Sequence, residues 1–224
     1  MGKKKIGVSS GHNFDTPGKR TPDGVQEYMF NWPTKMFVMD FLSFNDIIPI
    51  DLNPDRYNES LEERVSRANK YGCDAVVCIH FNAMGDKWQT NAKGIETYHY
   101  PGSVEGKKLA NSIHSELLKG TPMYNRGVKS AKYYMLKYTD MPAVLAECGF
   151  MDNPKEAKLM TLESYQRETA HEIAKGVCNY YGKVYKKNQT FFRVVTGSFK
   201  NLKNAEKRAN DLREKGFESF IIEN

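Results

Sequence analysis

The stretch AVVCIH at residues 75–80 decides how the rest of the chain is interpreted. Five consecutive apolar residues precede a histidine, with little of the alternation that a half-exposed strand shows. Runs of this kind are typical of strands covered on both faces, as in the centre of a parallel sheet. The sequence therefore predicts a central buried strand that ends at His80.

The segments around this strand alternate between strand-like and helix-like patterns. Strand-like runs occur at 5–9, 47–51, 94–100 and 143–147, and helical patterns occur at 36–42, 60–71, 103–119 and 162–181. Ser60 and Glu63 have the spacing of a capping box, and Gly72 follows the end of the helix at 60–71. Strands that alternate with helices favour an α/β fold with a mostly parallel twisted sheet flanked by helices on both faces.

The C-terminal part of the chain has a different organisation. Residues 183–190 (KVYKKNQT) are polar and basic, which is typical of a linker between residues 1–182 and a small unit at 191–224. The order predicted there is strand, helix, strand, at 191–196, 202–215 and 218–223, which is one βαβ unit. Its 34 residues can hardly bury a core alone, so two chains could pair these units and form a homodimer.

Composition and charge set broad limits on function. Apolar residues make up 40% of the chain and charged residues 27%, which is ordinary for a globular protein. No apolar run approaches the roughly 18–20 residues of a membrane span. The net charge of +6 favours attraction to a polyanion, but Lys and Arg are scattered along the chain. Charge alone therefore does not choose between cell wall, nucleic acid and anionic lipid.

Cysteine spacing and the N-terminal segment indicate where the protein is made. None of the four cysteines forms a CxxC pair, so a thiolate zinc site is not favoured and the thiols are expected to be reduced: Cys73, Cys78, Cys148 and Cys178. The apolar run at 6–8 is shorter than the ~7–15-residue core of a secretory signal. We therefore expect synthesis in the cytoplasm without a signal peptide, and action elsewhere only after release.

Candidate reactive side chains follow three of the predicted strands. His12 follows the first strand, His80 ends the central strand and Glu147 follows the apolar run at 143–146. The carboxyl ends of parallel strands meet at one edge of a sheet, and a catalytic zinc uses three protein ligands plus water. Glu27 is the candidate for a second carboxylate, so that one carboxylate binds metal and the other acts as a base. Each residue alone also has a structural explanation, such as a core histidine or a glutamate attracted to a helix N-terminus.

Six separated motifs resemble those of the type 3 N-acetylmuramoyl-L-alanine amidases. In chain order they are GHNFDTPG, GVQE, LEERVSRAN, CIHFNA, GIETYHYP and NRGVK…YYMLKYTDMPAVLAECGFMDN, and they extend from about residue 5 to about residue 181. The resemblance implies a zinc enzyme that acts on peptidoglycan, with no nucleic-acid partner and no membrane insertion. It would cleave the amide bond between the lactyl group of N-acetylmuramic acid and the L-alanine of the stem peptide.

The resemblance also assigns a role to each candidate residue. One Zn²⁺ ion would be held by His12, Glu27 and His80, and Glu147 would be the catalytic glutamate. Asn82 lies in the family's H-x-N-A segment, which lines the substrate cleft. One departure from the family is Pro33, which stands where the helix after the metal glutamate is normally uninterrupted. Because proline removes a backbone hydrogen bond, this helix is expected to begin near Asn31 or to kink there.

The C-terminal unit resembles one repeat of the sporulation-related (SPOR) peptidoglycan-binding module. The matching segments are FFRVVTGSF, NAEKRANDLREKGF and ESFIIEN, whereas a whole module of that family normally contains two such repeats. The resemblance implies a unit at 191–224 that binds cell wall or dimerises. Together the two resemblances favour a phage or prophage endolysin released by a holin, or an autolysin released by lysis of the mother cell in sporulation.

Three other functions stay open from the sequence. Cys148 beside a histidine could serve a cysteine hydrolase. The same zinc site could serve a carboxypeptidase that acts within peptidoglycan stem peptides. A protein with this fold could also bind cell wall without cleaving it.

Overall fold

One mixed sheet organises the residues before position 187. The computed structural model describes residues 2–16, 18–54, 59–186, 197, 199–217, 219 and 221. Six strands lie within these residues: β1 (Lys5–Ser10), β2 (Ile48–Asp51), β3 (Ala75–Asn82), β4 (Ile95–His99), β5 (Asn125–Ser130) and β6 (Ala143–Phe150). Their order across the sheet is β2-β1-β3-β6-β4-β5. Strands β2, β1, β3 and β6 are mutually parallel. Strand β4 runs antiparallel to β6, and β5 is parallel to β4.

Helices cover both faces of this sheet, as the sequence predicts. The described helices are α1 (Tyr28–Phe44), α2 (Leu61–Lys70), α3 (Val104–Gly120), α4 (Tyr134–Tyr138), α5 (Pro154–Met160), α6 (Glu163–Tyr180) and α7 (Leu202–Glu214). Apolar residues of α1, α3 and α6 form one buried cluster with one face of the sheet, and α2 and α4 pack on the other face. The prediction of an α/β fold with a mostly parallel sheet is confirmed.

The central position of β3 explains its unbroken apolar run. Ala75–Ile79 are at most 1% exposed, and their side chains alternate between the two buried clusters. Val77 and Ile79 face α1, α3 and α6, whereas Val76 and Cys78 face α2 and α4. Each fully buried aliphatic side chain of this size contributes about 1.5–3 kcal/mol, so this strand anchors the sheet on which the site is built.

The predicted capping box at the start of α2 is present. The Glu63 amide donates to Ser60 Oγ at 3.1 Å, and the Ser60 amide donates to Glu63 Oε2 at 2.7 Å. Gly72 follows the helix with a φ of 59°, which glycine adopts at little cost.

The helix that carries Pro33 does not begin near Asn31. It begins at Tyr28, because the Asn31 amide already donates to the Glu27 carbonyl at 3.1 Å. Proline removes only the N–H that would reach the carbonyl four residues earlier, which is that of Met29. In the fold this carbonyl accepts from Gln166 Nε2 of α6 at 3.4 Å. Tertiary structure therefore replaces the missing hydrogen bond, and the first helical turn after Glu27 is kept.

The chain divides into the units Met1–Lys186 and Lys187–Asn224. In the second unit, α7 lies where the sequence predicts a helix, and the Asn201 side chain caps its first turn by accepting from the Lys203 amide. The strands predicted at 191–196 and 218–223 lie outside the described residues, apart from Ser219 and Ile221. Within the described part of the chain, no helix is both long enough and apolar enough to cross a bilayer.

Candidate metal centre

Three side chains from distant parts of the chain meet where β1 and β3 end. His12 Nε2 lies 3.2 Å from Glu27 Oε2, and His80 Nδ1 lies 3.0 Å from Glu27 Oε1. One ligand atom from each residue falls within 4.8 Å of the other two. Ligand atoms around a tetrahedral zinc with bonds of 2.0–2.1 Å are about 3.3 Å apart, so the three groups are spaced as a metal site requires.

Two glycines make room for this convergence. A Cβ on Gly11 would lie 2.3 Å from the His80 ring, and a Cβ on Gly18 would lie 2.6 Å from both Glu27 Oε2 and the His12 ring. Gly18 also has a φ of 81°, which side chains rarely adopt. The motif GHNFDTPG thus contains His12 and both glycines. Any side chain at either glycine would push His80, Glu27 or His12 out of its observed position.

His12 is held in an unusual backbone conformation by the loop around it. Its φ is 63°, which is uncommon for a residue other than glycine. On one side, the buried Arg64 guanidinium donates to the Ser10 carbonyl at 2.7 Å, and on the other it donates to Asn13 Oδ1 at 2.6 Å. The Asn53 side chain accepts from the Ser10 amide at 3.0 Å. Arg64 belongs to the LEERVSRAN segment and Asn53 to the DLN segment. Their buried contacts fix the loop on either side of His12 and thereby the position of its side chain.

The Glu27 carboxylate is only 3% exposed and is oriented by donors from three directions. Oε1 accepts from Asn31 Nδ2 at 3.0 Å and from the Phe81 amide at 3.2 Å, and Oε2 accepts from the Lys19 amide at 3.4 Å. Burial alone would raise the pKa of this carboxyl, but the hydrogen bonds and charge of the two histidines outweigh it and hold the pKa well below its usual range. The Glu27 carboxyl is therefore ionised at neutral pH.

Glu147 lies beside His80, on the neighbouring strand β6 and in register with it. Its Oε2 atom is buried and has no hydrogen-bond partner among the described residues. Burial, and then the negative charges of Glu27 and Glu96, raise the pKa of the Glu147 carboxyl well above its usual value. A carboxyl group with these properties next to a metal site is suited to accept and release a proton.

The side chain of Asn82 is engaged within the protein. Its Nδ2 donates to Glu96 Oε1 at 2.8 Å, and its Oδ1 accepts from the Ala83 amide at 2.8 Å. The structure therefore places Asn82 beside the site as a partner of Glu96, and a direct contact with substrate stays a prediction. The sequence alone does not identify Glu96, because its isolated signal is one charged residue in GIETYHYP.

Cys148 cannot serve as the nucleophile of a cysteine hydrolase. It is fully buried on the sheet face opposite Glu147, within the cluster formed with α1, α3 and α6. Burial raises the pKa of its thiol well above the usual value, whereas a nucleophilic cysteine needs a thiolate.

A second group with metal-ligand side chains lies along α6, at Glu168, His171 and Glu172. Lys175 already supplies a positive charge there, because its Nζ lies 3.7 Å from Glu172 Oε2 and 2.7 Å from Glu116 Oε2. The group near β3 differs, since among the described residues Glu27 forms ion-pair contacts with His12 and His80 and with no lysine or arginine. Two imidazole nitrogens and one carboxylate form a donor set that zinc favours in catalytic sites.

Comparison with known proteins shows the family of the chain. A family model described as N-acetylmuramoyl-L-alanine amidase matches residues 6–179, and a SPOR domain model matches residues 162–223, so the SPOR match begins earlier than the predicted unit at 191–224. The uncharacterized protein YqiI of Bacillus subtilis is 33% identical over 181 residues, which cover 80% of this chain and 85% of that protein. The sporulation-specific N-acetylmuramoyl-L-alanine amidase of the same species is 28% identical over 222 residues, covering 97% of this chain and 84% of that enzyme.

Solved structures lead to the same family. The crystal structure of N-acetylmuramoyl-L-alanine amidase from Clostridium difficile 630 has a TM-score of 0.77 at 28% identity, covering 81% of this chain and 98% of that one. The catalytic domain of CwlV, the amidase from Bacillus (Paenibacillus) polymyxa var. colistinus, has a TM-score of 0.75 at 27% identity, covering 81% of this chain and 99% of that domain. Since the amidase model accounts for most of the sequence, the chain belongs to the N-acetylmuramoyl-L-alanine amidase family.

Proposed function

We propose that this protein hydrolyses the amide bond between N-acetylmuramic acid and the L-alanine of the peptidoglycan stem, using one zinc ion. The observation that carries the proposal is the convergence of His12, Glu27 and His80 next to Glu147, whose buried Oε2 has no hydrogen-bond partner among the described residues. Family membership supports the choice of substrate, because relatives across nearly the whole chain are named as amidases of this specificity.

The three ligand residues would bind the ion in defined states. His12 and His80 would bind as neutral imidazoles, through Nε2 and Nδ1, the atoms that lie nearest the Glu27 carboxylate. Bound zinc supplies Lewis-acid chemistry, polarising the scissile carbonyl and lowering the pKa of water to about 7. The hydrogen bonds from Asn31 and Phe81 keep Glu27 aimed at the ion, and contacts of this kind are typically worth 10–100-fold in metal affinity.

Glu147 would move the proton that the reaction requires. Its carboxylate takes a proton from the attacking water and delivers it to the alanine nitrogen as the amide bond breaks. Burial and the neighbouring negative charges raise the pKa of Glu147, which favours its uptake of a proton. Oε2 makes no other hydrogen bond among the described residues, so no partner must be displaced before it acts.

The C-terminal unit is proposed to hold the enzyme on the cell wall. The SPOR match supports wall binding, and pairing of two units into a homodimer stays a prediction. The relative named as a sporulation-specific amidase favours an autolysin of sporulation over a phage endolysin. Action on the wall after synthesis in the cytoplasm and release by lysis is part of the same proposal, and fractionation of the producing cells with an antibody to the chain tests it.

Metal analysis paired with product analysis tests the proposed reaction. Purified protein should contain one zinc per chain, and digestion of purified peptidoglycan should release stem peptides with a new N-terminal alanine. Release of free amino acids from the stem would instead identify a carboxypeptidase. Binding to the wall without any loss of turbidity would identify a non-catalytic wall-binding protein.

A further inference from the structure

The edge of the sheet that carries the site continues beyond Glu147. In the register of the strands, Glu147 of β6 lies opposite His80 of β3 on one side and opposite Glu96 of β4 on the other. Side chains that pair directly across neighbouring strands point to the same face of a sheet. The row formed by His80, Glu147 and Glu96 therefore extends from the metal ligands across two further strands.

Two positively charged side chains contact Glu96 at the far end of this row. Its carboxylate is buried, and Oε2 accepts from Arg126 Nε at 2.8 Å and from Lys129 Nζ. Oε1 accepts from Asn82 Nδ2 and from the Tyr98 hydroxyl, both at 2.8 Å. One carboxylate is thus surrounded by two cations and two neutral donors.

The cluster contains two cations, Arg126 and Lys129, around the single negative charge of Glu96. Burial alone would raise the pKa of Glu96, but Lys129 and Arg126 outweigh it and lower the pKa, so Glu96 is charged. Arg126 Nε and Lys129 Nζ both pair with the same oxygen of Glu96, so the single charge of Glu96 does not by itself neutralise the two cations.

Both cations keep N–H groups that make no hydrogen bond with another described residue. Arg126 is held by its Nε and by packing of the guanidinium 4.7 Å from the centre of the Phe150 ring. Its two terminal nitrogens make no hydrogen bond among the described residues, and this is the edge that binds a carboxylate with two parallel hydrogen bonds. The side chains of Arg126 and Lys129 remain 26% and 38% exposed, so a ligand can reach them.

We propose that Arg126 and Lys129, held in place by Glu96, form a subsite that binds a free carboxylate on the stem-peptide residue following the alanine. The subsite rests on the proposed amidase function and specifies which stem peptides the enzyme prefers. Glu96 acts as a positioning residue, because it orients the two cations.

The dimensions agree with this ligand. Arg126 and Lys129 belong to β5, but their charged groups contact Glu96 on β4. Strands lie about 4.8 Å apart, so β4 is about 10 Å from β3, the strand that carries His80. In an extended peptide, a carboxylate carbon on the second residue lies about 7 Å from the scissile carbonyl, and a hydrogen bond adds about 3 Å. A peptide whose scissile bond lies at His80 and Glu147 therefore presents this carboxylate to Arg126 and Lys129.

A pair of soluble substrates tests the subsite. Muramyl-L-alanyl peptides would be prepared with either a carboxylate or a carboxamide at the α-carbon of the second residue, and kcat/KM would be measured for each. The wild type is expected to favour the carboxylate by about 10- to 100-fold, the usual strength of charged hydrogen bonds. In Arg126→Gln and in Lys129→Gln this ratio should fall toward one, mainly through a higher KM for the carboxylate substrate. Each variant keeps one cation for Glu96, so a melting curve can establish that it folds.

Lys108→Gln is the matched control. It removes an exposed positive charge that pairs with Glu105 on α3, and it should leave the substrate ratio as in the wild type. A wild type that cleaves both substrates equally well overturns the subsite and leaves the amidase function standing. Loss of activity on both substrates by the same factor in the two variants also overturns it, since that would indicate a purely structural role. A wild type that cleaves neither substrate, with zinc bound, overturns the proposed function and the subsite with it.

Discussion

Replacing Gly11 with alanine perturbs the candidate metal centre while all the proposed ligand residues are kept. The new Cβ would lie 2.3 Å from the His80 ring, whereas carbon atoms of this kind essentially never approach closer than 3.0 Å. The ring must therefore move by at least about 0.7 Å, and metal–ligand distances tolerate only about 0.2 Å. Gly11 does not have a positive φ, so the effect comes from the contact and not from backbone strain.

The expected result for Gly11→Ala is a loss of at least about 100-fold in zinc affinity, at the upper end of what misplaced ligand contacts cost. Competition against a chromophoric chelator measures this affinity. Overpacking should also lower the free energy of unfolding by about 1–3 kcal/mol, which a denaturant titration of the metal-free protein measures separately.

Gly85→Ala is the matched control for this prediction. A Cβ at that position would meet only Gln89 Nε2, at an ordinary distance of 3.6 Å, so zinc affinity should stay as in the wild type. If Gly11→Ala binds zinc as tightly as Gly85→Ala and keeps its activity, then His80 does not bind zinc from its position beside Gly11. That result would refute the reasoning.

Further predictions concern the same site and the fold around it. Glu147→Gln should lower kcat by about 10²–10⁴-fold while one zinc per chain stays bound; near-normal turnover would exclude a proton-transfer role. Arg64→Ala removes both contacts that flank His12, and its zinc affinity should fall about 10- to 100-fold, whereas Arg208→Ala on α7 should match the wild type. Burial holds the pKa of the His114 imidazole below its usual 6.5. The unfolded chain therefore binds a proton at this imidazole more readily than the folded chain, and the free energy of unfolding decreases as the pH falls below 6.5. Melting temperatures between pH 7.5 and 5.5 should therefore decline less steeply in His114→Gln; an equal slope would contradict this.

The sequence predicts the centre of this fold better than its edge. AVVCIH identifies β3 because burial on both faces leaves a continuous apolar run, and the Ser60 capping box is a purely local signal. The polar strand β5 (NRGVKS) carries no such signal, since it lies at the edge of the sheet and its residues are partly or fully exposed. The antiparallel direction of β4 also has no local signature, because a strand's pattern records its burial and not its direction.

The same distinction separates the candidate site residues from the residues that hold them in position. His12, His80 and Glu147 follow recognisable strands, so their meeting at one edge can be predicted from the order of elements. Glu96 and Arg126 cannot be found in this way, because charged residues in polar segments are usually solvent-exposed, and only the register of β4 against β6 brings Glu96 to the site. Replacement of the hydrogen bond lost at Pro33 likewise depends on α6, more than 120 residues further along the chain.

Anomalous diffraction at the zinc edge, from crystals of the zinc-loaded protein, tests the central claim most directly. The account predicts one strong peak in the residues before position 187, within about 2.0–2.2 Å of His12 Nε2, His80 Nδ1 and a carboxylate oxygen of Glu27. A zinc-loaded crystal with its peak elsewhere, or with any of these three atoms outside bonding distance, would contradict it.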